Sequence, residues 1–370
     1  MHDDRLHAIE IRRFRGLAQL ELDGLGAFNL LLGANDIGKT SVLEAVFLLA
    51  GFADVQSPVR LQNWRNLLVQ DFDDLGLLFH GLDVDAPVAL TAHSDGPVKR
   101  RTLEISAAAT ARGVEAQQAG NGSASSMTSA VHNGDQSSST VAAGARVLRY
   151  DATVEPRQGS PTYFAATLEV SDGDLRAASS GTPAAEPTIS ARYIGPRTEY
   201  DGAVIADVTV DKKADRLIRY LRAINPRVQS VATNGNVAYV DVGLERMIPL
   251  NMYGSGVTRA AMMLAPCIAG NERILLIDEL ENGLHHAAMV PLLQALLTLT
   301  HEQRLQVFAT THSIAPLESL RLALNDERFS AFRDIISCYS LQRDQDGLVR
   351  PYRYDYAQFE HCIARGIEIR

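Results

Sequence analysis

The chain has 370 residues, more than the ~100–200 of one typical domain, so two domains or one α/β domain carrying insertions are expected. Its 46% apolar and 21% charged residues are the balance of a globular protein, and a net charge of −9 argues against a surface built mainly of phosphate contacts. Three scattered cysteines (Cys267, Cys338, Cys362) give neither a disulfide framework nor metal-ligand spacing, and no run of ~18 apolar residues is present to span a membrane. With no basic and apolar leader at Met1 to Arg5, a cytoplasmic location with no membrane partner is expected.

Ile9 and Ile11 alternate with polar neighbours, as do Leu20 and Leu22, which predicts a hairpin turning at Arg13 to Gly16 with one buried face. Phe28 to Leu32 is a short apolar run expected as a strand buried on both faces. Gly33-Ala34-Asn35-Asp36-Ile37-Gly38-Lys39-Thr40 follows it, then a helical stripe from Ser41 to Ala50 that Gly51 can end. Strand, glycine loop and helix in this order form a P-loop. Its backbone N–H groups cradle phosphates, Lys39 neutralises them, and Thr40 offers a hydroxyl to Mg²⁺, so ATP and Mg²⁺ are the expected ligands. Asp36 adds negative charge beside the phosphates, which points to modest affinity or turnover.

The stretch from 107 to 143 is mostly Ala, Ser, Gly, Thr and Gln, too polar to offset its ordering entropy, and is predicted to be a flexible insertion. Val147 to Val154 and Thr162 to Val170 read as strands of a β-lobe, and 181–187 as a loop. Asp211 is predicted to cap a helix running to Ile224, stopped by Asn225-Pro226, and Asn234-Gly235 signals a hairpin. Tyr253-Gly254-Ser255-Gly256 precedes a helix from Thr258. Its amides and hydroxyl form a candidate anion site, although Gly-Ser-Gly turns are common without one. Arg273 to Ile277 is a strand ending in Asp278 and Glu279. The first can hold a Mg²⁺ shell and the second can orient or deprotonate water. A helix from Ala287 to Thr300 leads to the strand Gln306 to Ala309, and His312 just beyond it can contact the γ-phosphate or its water.

The order of these motifs, with Ile274 to His285 and Ala309 to Ser313, resembles that of RecF/SMC/OLD-like AAA-type ATPases of the ABC class. Phe14-Arg15-Gly16 and the terminal Arg365 to Arg370 look like those of short stand-alone members. Leu78-Phe79-His80 matches only loosely. The resemblance covers Leu6 to Gly51 and Ile248 to Arg370. It implies a head-to-head homodimer or higher assembly with composite sites. Lys39, Thr40, Asp278 and Glu279 would serve one ATP, with Gly33 to Ser41 and Arg15 around it. Ser255 and Gly256 would reach the partner's γ-phosphate, His312 would act as the switch histidine, and Glu281 to His285 would resemble the D-loop. Gln56 and Gln62 are both candidates for the Q-loop residue.

The fold class that follows is α/β, a P-loop NTPase of the ABC/RecF/SMC-head type. Its mixed sheet should set the P-loop strand beside the Asp278 strand, with an antiparallel β-lobe and an inserted arm. Residues 1–54 and 191–370 would form the core and 55–190 the insertion. Relatives of the OLD type often belong to anti-phage systems, so the resemblance points to an ATPase controlling a separate effector, a nuclease or toxin. After Ser319 no convincing Glu plus Asp-x-Asp set remains for a built-in nuclease. The alternatives are a RecF-like DNA-binding repair ATPase, using Arg12, Arg13, Arg15, Lys99 to Arg101, Lys212, Lys213, Arg216 and Arg219, or a nucleotide-gated scaffold with little turnover.

Overall fold

The computed structural model describes residues 5–109, 146–180, 188–198 and 200–365. Most of the Ala/Ser/Gly-rich stretch, the 181–187 loop and the terminal 366–370 therefore lie outside the described residues.

The first hairpin forms as its alternation predicts. β1 (Leu6–Phe14) pairs with β2 (Leu17–Asp23), Ile9 opposite Leu22 and Ile11 opposite Leu20, all buried on one face. β3 (Phe28–Gly33) follows, then α1 (Lys39–Ala50), whose cap at Gly51 closes on the Phe47 carbonyl. Two short helices come next, α2 (Ser57–Trp64) and α3 (Phe72–Gly76), before an antiparallel run of β4 (Val88–Ser94), β5 (Val98–Ala109), β6 (Arg146–Pro156), β7 (Thr162–Ser171) and β8 (Asp174–Ser180). These five strands join the first hairpin in a seven-stranded antiparallel sheet of order β2-β1-β4-β5-β6-β7-β8.

After β9 (Ala191–Ile194) come α4 (Gly202–Val210), α5 (Ala214–Ile224) and the hairpin β10 (Ser230–Asn234)/β11 (Val237–Asp241), turned at Asn234-Gly235 as predicted. The two-residue β12 (Ile248–Pro249) and α6 (Leu250–Tyr253) lead into α7 (Ser255–Ala269), longer than the sequence suggested. β13 (Ile274–Ile277), α8 (His286–Gln303), β14 (Gln306–Thr311), α9 (Ala315–Asn325), the hairpin β15 (Ile336–Arg343)/β16 (Val349–Tyr354) and α10 (Tyr356–Ala364) complete the chain.

Asp211 does not cap the helix ahead of Ile224. It ends α4, its N–H bonding back to Asp207, and its carboxylate takes an ion pair from Lys213, which stands at the N-cap of α5. The missed α4 begins where the Asp201 carboxylate accepts the Ala203 N–H at 3.0 Å. Its Val-rich, β-branched sequence hid a helix that tertiary packing stabilises against a weak propensity.

The second sheet has the order β16-β15-β3-β14-β13-β9, parallel except at β16. The P-loop strand β3 is therefore not beside β13 as expected, because β14 runs between them. Local patterning carries no strand order, which the packing of the connecting helices decides. The alternation of each strand divides the core. Leu31, Leu276, Phe308 and Tyr339 face α1 and the antiparallel sheet, while Leu30, Leu275, Val307 and Cys338 face α7, α8 and α9. Gln306, fully buried at the start of β14, ties the sheets together. Its amide accepts from the Leu6 N–H at 2.9 Å and donates to the Leu6 carbonyl at 2.7 Å.

Candidate active site

Strand ends converge at the C-terminal edge of the parallel sheet, where ligands of open α/β folds bind. From β3 the chain enters the Gly33–Thr40 loop with Asp36 and Gly38 in left-handed conformations, φ 60° and 105°. A Cβ on Gly38 would meet Leu17 Cδ2 at 2.6 Å, so both conformation and space require glycine there. α1 starts with neither a side-chain cap nor an acid in its first turn, which leaves its first N–H groups available to an anion. Ala34, Asn35 and Asp36 form the exposed tip, while Ile37, Lys39 and Ser41 are buried. Lys39 Nζ folds back to donate to the Gly33 and Ala34 carbonyls at 2.7 and 2.8 Å. Burial lowers its pKa, against the pull of Asp278, Glu281, Glu279 and Asp36. A bound polyphosphate would favour the charged form.

Asp278 leaves β13 buried and is reached from three elements. Thr40 Oγ1 from α1 lies 2.9 Å from Oδ2, Tyr193 from β9 donates to Oδ2 at 3.1 Å, and Thr310 from β14 donates to Oδ1 at 2.5 Å. A hydroxyl and a carboxylate in contact are hard-oxygen donors that fit Mg²⁺, a cation that takes one or two protein oxygens and completes its shell with phosphate and water. Burial and the Asp278 charge push the Tyr193 phenol far up, so it stays a proton donor.

The neighbouring Glu279 has φ 51°, unusual for a residue with a Cβ. Three contacts hold it there: its N–H donates to Thr310 Oγ1 at 2.9 Å, Arg259 donates to its carbonyl at 2.9 Å, and Asn282 reaches its carboxylate at 3.3 Å. Arg259, one turn into α7, also bonds the carbonyls of Gly195 and Asp278, and burial lowers its pKa. Backbone strain of this kind persists where surrounding structure enforces it and gathers at functional sites.

His312 is half exposed at the end of β14, its Nδ1 3.2 Å from Glu281 Oε1. It shares a cavity of about 710 Å³ with Gly33 to Ile37 and Leu341 to Arg343. A second cavity of about 850 Å³ is bounded by Thr40, Asp278, Glu279, Trp64, Tyr193 and Arg197. Both volumes lie in the range of ligand pockets.

Not every residue singled out in the sequence reaches these cavities. Ser255 and Gly256 open α7 at a smaller cavity of about 210 Å³, where Ser255 Oγ donates to the Gly283 carbonyl at 3.2 Å, and Ser255 lines neither of the larger two. Arg15 is committed elsewhere, pairing with the buried Glu44 of α1 at 2.5 Å and donating to Gln62 at 3.2 Å. Gln62 is buried and also donates to the Asp74 carbonyl, and Gln56 stands at the N-cap of α2. His80 donates from Nδ1 to the Arg15 carbonyl, 2.7 Å away. Sequence reasoning passed over Tyr193, Arg259 and Thr310. Thr310 stands inside a quoted motif and Arg259 one turn after Ser255, whereas nothing in Arg192-Tyr193-Ile194 marks a site. Asp344 and Asp346, an Asp-x-Asp pair beyond Ser319, form a hairpin turn in which Asp344 pairs with Arg350 at 2.8 Å.

Residues 166–318 match a family model described as "AAA domain, putative AbiEii toxin, Type IV TA system". An ATP/GTP phosphatase of Helicobacter pylori is 22% identical over 94% of this chain and 95% of its own length. The chain is an ATPase that is similar, over these stretches, to RecF/SMC-like AAA-type proteins. The DNA replication and repair protein RecF of Acinetobacter baumannii is 52% identical to it over 50 residues, 14% of the ATPase and 13% of that relative. Among solved structures, an Smc head domain from Pyrococcus furiosus, bound to the C-terminal domain of ScpA, overlaps 98% of the ATPase and 99% of that chain at a TM-score of 0.48 and 8% identity. Among the described residues, no helix of the ATPase is long and apolar enough to cross a membrane.

Proposed function

We propose that this ATPase binds MgATP along the Gly33–Thr40 loop, that two copies close head to head on the nucleotide, and that this closure regulates a separate effector protein, a nuclease or toxin, in anti-phage defence. The observation that carries the ligand assignment is the contact of Thr40 with Asp278 at 2.9 Å, with Glu279 as the next residue. In this reading Thr40 and Asp278 would hold Mg²⁺, which would supply positive charge to screen the phosphates. Lys39 turns from the loop carbonyls to the phosphate oxygens, Glu279 orients or deprotonates the attacking water, and His312, steadied by Glu281, faces the terminal phosphate.

Ser255 lines neither P-loop cavity, its own adjoining the larger one at Gly195, Pro196, Thr198 and Asn282, and this supports a composite site in which its hydroxyl serves a partner. The uncapped start of α7 and the Ser255 hydroxyl are exposed, as a surface that receives a partner's γ-phosphate would need to be. The division into a core of 1–54 and 191–370 and an arm of 55–190 belongs to the same reading, the first hairpin joining the arm's sheet. The toxin wording of the matched family agrees with an effector role. A RecF-like use of DNA is less well supported, because Arg13, Arg15, Arg100, Lys213 and Arg216 are paired with carboxylates.

The test is affinity purification of Glu279→Gln from its native cells with MgATP and with Lys39→Ala beside it. A nuclease or toxin retained by the first and absent from the second is expected. Recovery of the ATPase alone in every nucleotide state would rule the effector out.

A further inference from the structure

Three hydroxyls converge on the Asp278 carboxylate, and only the one from Thr40 belongs to the P-loop. The other two come from the strands on either side of β13, Tyr193 from β9 and Thr310 from β14. When Thr40 turns its oxygen toward a cation, these two remain to set which way the carboxylate faces. The Tyr193 ring cannot swing freely. It lies flat on Trp64, the last residue of α2, with centroids 3.9 Å apart and planes 8° from parallel. Trp64 in turn packs on Phe47 of α1 at 4.4 Å. The phenol is thus fixed from the P-loop helix itself and donates to the same carboxylate oxygen that Thr40 contacts.

The geometry points to Tyr193 as a positioning residue for the metal-binding carboxylate, held in place by the Trp64 stack. It rests on the assignment of Thr40 and Asp278 to Mg²⁺. A hydroxyl that fixes a metal-ligating carboxylate tunes cation affinity, whereas one that only fills a hydrogen bond affects stability. Tyr193→Phe keeps the ring and the stack and removes only the donor.

The experiment titrates Mg²⁺ into the full-length chain with a fluorescent ATP analogue, following binding rather than turnover. For Tyr193→Phe the half-saturating Mg²⁺ concentration is expected to rise about tenfold, the lower end of what loss of such a partner costs. Affinity for the analogue in EDTA should match that of the unmodified chain. Trp64→Leu, which leaves the hydroxyl and removes the stack, is expected to shift the Mg²⁺ midpoint in the same direction by less. An unshifted midpoint in Tyr193→Phe, or an equal loss of affinity with and without Mg²⁺, overturns the positioning role. Binding by the unmodified chain that ignores Mg²⁺ altogether overturns the Thr40–Asp278 assignment instead, and the role of Tyr193 with it.

Discussion

At the scale of residues, Lys39 and Glu279 are set up for separable tasks. Lys39 is buried and bonded to the loop carbonyls, which in the proposed account it exchanges for phosphate oxygens, while Glu279 is held in a strained conformation by Thr310, Arg259 and Asn282. Lys39→Ala should therefore lose nucleotide binding, measured by equilibrium binding of a fluorescent ATP analogue. Glu279→Gln should keep that binding and lower turnover about 10²–10⁴-fold, the usual contribution of a general base. Equal turnover in Glu279→Gln and the unmodified chain would remove Glu279 from the reaction. Lys39, Thr40, Asp278 and Glu279 were legible in the sequence because a glycine loop between strand and helix, and acids ending an apolar strand, leave local patterns. Tyr193 and Arg259 were not, because each acts through a contact with a residue distant in the chain, and no spacing records which strand lies beside β13.

Among the elements, α1 is both the helix that the P-loop opens and the centre of an ion network around the buried Glu44. Glu44, on its inner face, accepts Arg15 from the β1–β2 turn at 2.5 Å and Arg65, just beyond α2, at 2.7 and 3.2 Å. Burial lowers the Arg15 pKa, and the Glu44 charge offsets part of that penalty. Glu44→Ala would leave two guanidinium groups facing each other without their carboxylate. The expected cost is about 3–5 kcal/mol, seen as a large fall in melting temperature. A melting curve unchanged by Glu44→Ala would show that solvent replaces the carboxylate at no cost. Arg15 illustrates how far a motif can be read. Phe14-Arg15-Gly16 marks a turn against α1, but whether its guanidinium meets nucleotide or Glu44 depends on the approach of α2, which the sequence does not display. The same limit applies to α4, where a β-branched sequence folds as a helix because it packs on α7 and the β10–β11 hairpin.

For the whole molecule, the two sheets share one core that α1 crosses, and the buried Gln306 amide joins them at β1 and β14. The strand types and the antiparallel lobe followed from alternation, while the placing of β14 between β3 and β13 did not. That placing brings Thr310 to Asp278 and His312 to the P-loop cavity. It leaves Ser255 outside both P-loop cavities, at a smaller one adjoining that of Thr40 and Asp278. A second copy supplies the missing surface in the proposed account, and this is its central claim. Mass in solution tests it most directly, for the unmodified chain, Glu279→Gln and Lys39→Ala, with and without MgATP. A nucleotide-dependent dimer that Glu279→Gln retains, and that Lys39→Ala cannot form, is the expected result. A mass indifferent to ATP in a chain that still binds nucleotide would contradict the head-to-head arrangement and return Ser255 to an ordinary helix start.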